Sequence, residues 1–285
     1  MTERQRPGAT SARARPKGTI LAAGLLVCVC VTGCADVAAE DARAVADPVQ
    51  TLRQAPDVLL EAGSAQARTS MEMATGGTRV KIRGTGVYDF RGQRGQLTLV
   101  LPQQPTGTAE HLPITEILTP GALFMKNRGA GVPADKWVRI DTASLVDGNL
   151  VTGGATDPYA AAEVLRGTRT AIFVGRTEIF GVAVRHYRGT ADLALAAKNA
   201  SAADAVALKA AAKGFATPLV PFDVYLDDQG RIRKIRQRFA FVNGQRNRAV
   251  AVHSTTHLYA FGIPVTVTLP RAQDIYTGRI AEKQG

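Results

Sequence analysis

The sequence predicts an α+β fold built on one large antiparallel sheet, and three observations carry that expectation. Apolar residues recur at period two in run after run, the gaps between runs have hairpin length, and only a few stretches carry helix signals. Residues 96–101 are the plainest strand, with Leu97, Leu99 and Leu101 on one face.

The remaining strand candidates are 69–75, 79–90, 114–118, 122–126, 136–140, 171–178, 182–193, 222–226, 232–242, 249–261 and 265–269. Asp228-Gln229-Gly230 and Asn243-Gly244 read as hairpin connections. Roughly ten strands so spaced make one antiparallel sheet, because alternating βαβ units would need longer crossovers.

Helix signals fall in three places. Residues 48–65 carry Val49, Leu52, Val58 and Leu59, and Pro56 is expected to break or restart that helix. Asp157-Pro158 opens a helix through Arg166, with Asp as cap and Pro in the first turn. Residues 199–213 form the third, with Ser201 as cap and alanine predominating. Alanine favours helix but buries little surface, so this element should dock loosely and could serve as a lid.

Composition is that of a globular chain: 285 residues, 45% hydrophobic and 21% charged. The first 33 residues differ. Arg4, Arg6, Arg13, Arg15 and Lys17 form a basic head with one acid, Glu3, and an apolar run over 19–31 follows. That run is too short to span a bilayer and fits a signal-peptide core. It ends in Val31-Thr32-Gly33-Cys34, a lipobox in which a small residue precedes the cysteine that takes the lipid. The expectation is a lipoprotein signal peptide over 1–33, lipidation of Cys34 by diacylglycerol and palmitate, a lipidated tether over 34–47, and a single domain over 48–285.

Cys28 and Cys30 lie in the removed core, leaving Cys34 as the one thiol of the mature chain. Disulfides, cysteine-ligated metals and a catalytic cysteine are thereby excluded. Removing five bases and one acid takes the formal charge from +11 to +7, a balance that suits an anionic membrane surface. Export, and the lack of an RNP-like motif or zinc finger, argue against nucleic acid. Two strands carry a basic face, which reads as solvated surface with docking on anionic phospholipid as the alternative: Lys234, Arg236 and Arg238 oppose Ile235, Gln237, Phe239 and Phe241, while Arg79, Lys81 and Arg83 oppose Val80 and Ile82.

Catalytic chemistry finds little to rest on. No Gly-x-Ser-x-Gly elbow, Walker loop or His-Glu-x-x-His occurs. His253 and His257 share a strand face but stand about 13 Å apart, too far to hold one metal ion. His186 reads as a packed or rim residue, and Asp223, Asp227 and Asp228 as strand-end and turn chemistry. No catalytic residue, metal or cofactor is expected.

Certain short motifs resemble a known family. They are Lys136-Trp137-Val138-Arg139-Ile140, Asp157-Pro158, and His186-Tyr187-Arg188-Gly189-Thr190-Ala191-Asp192-Leu193. Further on come Asp223-Val224-Tyr225-Leu226-Asp227-Asp228 running into Gly230-Arg231-Ile232, then Tyr259, Phe261-Gly262, Val265 and a terminal Leu269-Pro270. With the lipobox and tether, residues 48–276 resemble the LppX/LprG-type lipoproteins of actinobacteria, which are LolA-like. The resemblance implies a curved antiparallel half-barrel with helices covering its concave face. It implies no catalytic residues, and a diffuse apolar lining that holds acyl chains of a lipid or acylated glycolipid.

The inward candidates for that lining are Leu97, Leu99, Phe124, Phe173, Val224, Ile235, Phe239 and Phe241. The expected function is lipid carriage across the cell envelope by a monomer anchored to the outer face of the cytoplasmic membrane. A membrane transporter or regulatory protein would be its partner. The alternative is an envelope sensor or interaction lipoprotein using the same fold without carrying lipid.

Overall fold

The computed structural model describes residues 47–75, 78–102, 112–128, 131–243 and 248–278. The expected signal peptide over 1–33, Cys34 with the expected tether as far as residue 46, and Gly244 lie outside these residues. Helix α1 (Pro48–Ala62) starts at Asp47, whose carboxylate accepts the Gln50 N–H at 3.0 Å, with Pro48 in the first turn. It ends at Gly63, whose φ of +81° is the left-handed conformation that stops a helix. Pro56 does not break it. Leu52, Ala55, Pro56 and Leu59 form a buried stripe, and that packing outweighs the hydrogen bond the proline cannot make.

Eleven antiparallel strands follow among the described residues. They are β1 (Ser64–Thr75), β2 (Thr78–Asp89), β3 (Arg94–Val100), β4 (Ile114–Thr119), β5 (Ala122–Lys126) and β6 (Trp137–Asp141), then β7 (Thr168–Ile179), β8 (Val182–Asp192), β9 (Leu219–Leu226), β10 (Ile232–Asn243) and β11 (Arg248–Tyr259). Their order is β6-β5-β4-β3-β2-β1-β11-β10-β9-β8-β7, so two meanders join where β1 pairs with β11. The edge strands β6 and β7 do not pair with each other, and the sheet stays open as a half-barrel.

Residues 265–269, expected as a last strand, are not one. Val267 instead lies across the outer face, and Ile275 bridges to Trp137. β1 also starts at Ser64, before the expected residue 69, because Ala65 and Ala67 pair with Tyr88 and Gly86 on β2.

The connections hold the remaining helices. Between β6 and β7 run a short 3-10 turn, an irregular loop, and α2 (Pro158–Glu163), which tightens into a 3-10 turn over Val164–Gly167. Asp157 caps α2 by accepting the Tyr159 and Ala160 N–H groups at 2.8 and 3.1 Å, as the sequence predicts. Between β8 and β9 stand two helices where one was expected, α3 (Leu193–Asn199) and α4 (Ala202–Gly214). Asp192 caps the first and Ser201 the second, so the break falls at a new cap. No helix among the described residues is long and apolar enough to cross a membrane.

One side of the sheet carries the main core. Inward residues of β1 to β5 and β8 to β11 pack with α1, α2, α3 and α4, while the opposite face bears Arg68, Lys234, Arg236 and Arg238.

Candidate functional site

The concave side is where the sheet's apolar residues converge, so the expected lining can be placed position by position. Leu97 and Leu99 on β3 are fully buried opposite Gly86 and Gly84 of β2. Val224, Ile235 and Phe239 lie in the same core, and Phe173 and Phe241 are half-buried against it. Phe239 stacks on Phe215 with ring centres 5.1 Å apart, and Phe241 tilts against Phe215 at 4.6 Å. Phe173 meets Tyr187 edge-on at 5.7 Å.

Phe124 does not belong with them. On β5 it pairs with Ile117 of β4 and points to the outer face, where the two form a separate cluster with Ala122, against Trp137, Val267 and Ile275. The inward residues of β5 are Leu123 and Met125. Both faces of β4 and β5 are buried, so alternation could not say which way Phe124 points.

The hollow over β2 to β5 is filled by the loop of residues 147–156. Apart from Thr152 its residues are buried, and Leu150, Val151 and Ala155 belong to the main core. The loop is organised from within. The buried Asp147 carboxylate accepts the Asn149, Val151 and Thr152 N–H groups and the Thr152 hydroxyl, at 2.6 to 3.1 Å. Leu150 donates its N–H to Asp147 O and Gly154 to Val151 O, while the Thr156 hydroxyl donates to Leu150 O at 2.8 Å. Gly148 takes a φ of +57° and faces the α4 backbone so closely that a Cβ there would stand 2.1 Å from Ala207 O.

Beneath the loop lies Glu116, fully buried on the inner face of β4 opposite Leu97 and Met125. Among the described residues neither of its carboxyl oxygens has a hydrogen-bond partner, and neither does the Asn149 amide oxygen. Both side chains converge on Gly153: a Cβ there would lie 3.1 Å from Asn149 Oδ1 and 3.1 Å from Glu116 Oε1. Burial pushes the Glu116 carboxyl up to about 8 against the pull of the Arg128 guanidinium, so it holds its proton at neutral pH. Arg128 itself donates to Gly153 O and Thr152 O, each at 3.4 Å.

A second polar group of residues sits at the mouth between the β4–β5 turn and α4. Tyr88 donates to Asp157 Oδ2 at 3.0 Å, and burial raises Asp157 and pushes Asp204 up to about 7. The cavity there holds about 40 Å³, room for little more than water.

A large apolar depression among the described residues lies on the other side of the helical layer. It is a groove of about 610 Å³ between α3 and α4, floored by Ala194, Ala197, Ala205, Val206 and Ala212 and rimmed by Lys198, Lys209 and Lys213. Ala197 and Ala212 pack against the main core, while Val206 is 56% exposed.

On the outer face His253 and His257 alternate with inward Ser254 and Thr256, as a strand requires. Burial, with Lys234 and Arg68 nearby, depresses His257 to about 4, so it is neutral at pH 7. His186 stacks on Tyr225 at 4.3 Å and meets Asp223 at 2.7 Å, the packed rim position its sequence suggests. No group of three or more His, Cys, Asp or Glu able to hold a metal ion occurs among the described residues. Glu116 and the loop of 147–156 were missed from sequence. The only signal was the strandless stretch between Asp141 and Asp157 with Asp147-Gly148-Asn149 and Gly153-Gly154 inside it.

No family model and no curated protein matches the chain. Solved structures similar to it include lipoprotein LppX from Mycobacterium tuberculosis, 12% identical with a TM-score of 0.45, covering 78% of this chain and 100% of that one. LprF from Mycobacterium bovis is 14% identical with a TM-score of 0.40, covering 79% and 98%. An outer membrane lipoprotein-sorting protein domain from Vibrio parahaemolyticus is 9% identical with a TM-score of 0.32, covering 76% and 93%.

Proposed function

We propose that this chain is an exported lipoprotein, cleaved before Cys34 and held through it on the outer face of the cytoplasmic membrane. It binds the acyl chains of a lipid or lipoglycan on the apolar surfaces of its sheet and of the helices that cover it, and carries them across the cell envelope. The observation that supports this reading most is the apolar groove between α3 and α4. At about 610 Å³ it falls within the roughly 300–1,000 Å³ of ligand pockets, and its walls are alanine and valine.

Such a surface recognises hydrocarbon by area, at roughly 0.8 kcal/mol per buried methylene. The three lysines at its rim match the anionic head groups from which an acyl chain would come. The helices flanking the groove are the element the sequence suggests as a cover.

The test is transfer of a pyrene-labelled phosphatidylglycerol from donor to acceptor vesicles, with the full chain added in catalytic amount. Carriage predicts transfer well above the spontaneous rate and saturable in lipid. Transfer at the spontaneous rate, with no probe bound to the protein, would count against it.

A further inference from the structure

The irregular loop and the orphaned polar atoms beneath it have a common explanation. The backbone–backbone hydrogen bonds of the loop run within it or to its neighbour Leu145, and among the described residues the buried Asp147 carboxylate accepts only from Asn149, Val151 and Thr152. The sheet holds the loop through one short contact, Thr156 Oγ1 to Ser254 Oγ at 2.6 Å, and the two long bonds from Arg128. Otherwise the docking rests on side chains such as Leu150 and Val151. A unit so satisfied internally can leave the sheet without stranding its own backbone.

The surface it covers is not so satisfied. Among the described residues both Glu116 carboxyl oxygens lack partners in a fully buried place, and the Asn149 amide oxygen of the loop lies over them equally unpartnered, a condition native proteins rarely keep without a use. Around them stand Leu97, Leu99, Leu123 and Met125, an apolar wall of the kind that suits an acyl chain.

We propose that the inner face of β2 to β5 is a cryptic acyl-chain site that the loop of 147–156 occupies in the unliganded protein, with Glu116 marking its polar end. The ligand class is an acyl chain esterified to a hydroxyl-bearing head group, because a hydroxyl can donate to one of the Glu116 oxygens and accept from a protonated carboxyl. The inference rests on the acyl-binding reading and refines it: the loop, in place of an empty hollow, is what the lipid displaces.

The experiment pins the loop. In the full chain with Cys28, Cys30 and Cys34 replaced by serine, Thr156→Cys and Ser254→Cys place two thiols where hydroxyls now meet. Binding of cis-parinaric acid, and its displacement by 1-monopalmitoylglycerol, is measured oxidised and reduced. The proposal expects oxidation to weaken binding at least tenfold and reduction to restore it. Equal binding in both states would overturn loop displacement while leaving acyl binding in place, and no binding even by the parent chain would overturn both.

Hydrogen exchange on the parent chain supplies a readout independent of the variant's folding. Exchange of the amides of 147–156 should rise when 1-monopalmitoylglycerol binds, and unchanged exchange in the bound state would overturn the proposal. For the polar end, Glu116→Leu should reduce the preference for 1-monopalmitoylglycerol over methyl palmitate about tenfold. An unchanged preference would remove Glu116 from the site.

Discussion

Arg166 reaches back to Glu163, its Nε donating to the fully buried carboxylate at 2.8 Å, while its two terminal nitrogens fork onto Asp57 at 2.7 and 3.1 Å. The other Glu163 oxygen accepts the Ser201 N–H at 3.2 Å. One carboxylate thus links α1, the end of α2 and the start of α4, the three pieces that close over the sheet. Arg166→Met leaves a buried charge without its cation and should cost about 3–5 kcal/mol. Urea unfolding checks this, and Asp57→Asn, altering the exposed partner alone, should cost about 1 kcal/mol or less.

Phe239 is the aromatic centre of the β10 side of the core, stacked on Phe215 and 1% exposed. Phe239→Ala should destabilise by about 3–5 kcal/mol in the same assay.

Leu99 and Phe124 were expected on one face and stand on opposite faces. Leu99→Ser should therefore weaken acyl-probe binding, whereas Phe124→Leu, under the C-terminal segment on the far side, should leave it within about twofold. Titration with cis-parinaric acid distinguishes them.

Glu116 gives the protein a defined pH response. Its folded-state value of about 8 lies above the ordinary carboxyl value of 4.5, so between those limits the native state binds the extra proton. Stability is then fully present below about pH 4.5 and falls as pH rises towards 8. Asp204, pushed up to about 7 from 3.8 by burial, acts with the same sign over a lower window. Glu116→Gln should flatten the decline between pH 6 and 8, measured as urea midpoints across that range. An unaltered decline in this variant would mean Glu116 is not its source.

Val206 is exposed in the α3/α4 groove, so its replacement should barely touch stability. Val206→Asp should nevertheless lower phospholipid transfer between vesicles several-fold, by placing a charge on the apolar floor. Replacing Lys198, Lys209 and Lys213 with glutamate should lower transfer from anionic vesicles while sparing neutral ones.

Much of this arrangement was legible in the sequence where one face is wet. β3, alternating buried and exposed along its length, and the basic outer positions of β10 follow directly from period two. The caps at Asp157 and Ser201 followed equally, because capping is local chemistry. The pattern fails where tertiary packing adds a second cover. Val267 and Ile275 bury the outer face of β4 and β5, so Phe124 carries no readable direction. Pro56 marks a helix break by local rules, yet its burial keeps α1 whole.

The central site was hidden for a different reason. A loop that satisfies its own backbone through Asp147 has no period, and a carboxylate such as Glu116 on an inner face reads as a solvent-facing residue. Only the pairing of β4 with β3 puts it opposite Leu97.

Uptake of acyl chains by the sheet and its helical cover is what a lipid carrier of this fold must show. Its most direct test is native mass spectrometry of the full chain carrying Cys34→Ala, produced in its own host and purified without detergent. Lipid carriage predicts a population heavier than the polypeptide by the mass of one acylated lipid, which collisional activation releases and lipid analysis identifies. A polypeptide of bare mass, which also stays bare after incubation with 1-monopalmitoylglycerol and phosphatidylglycerol vesicles, would contradict it.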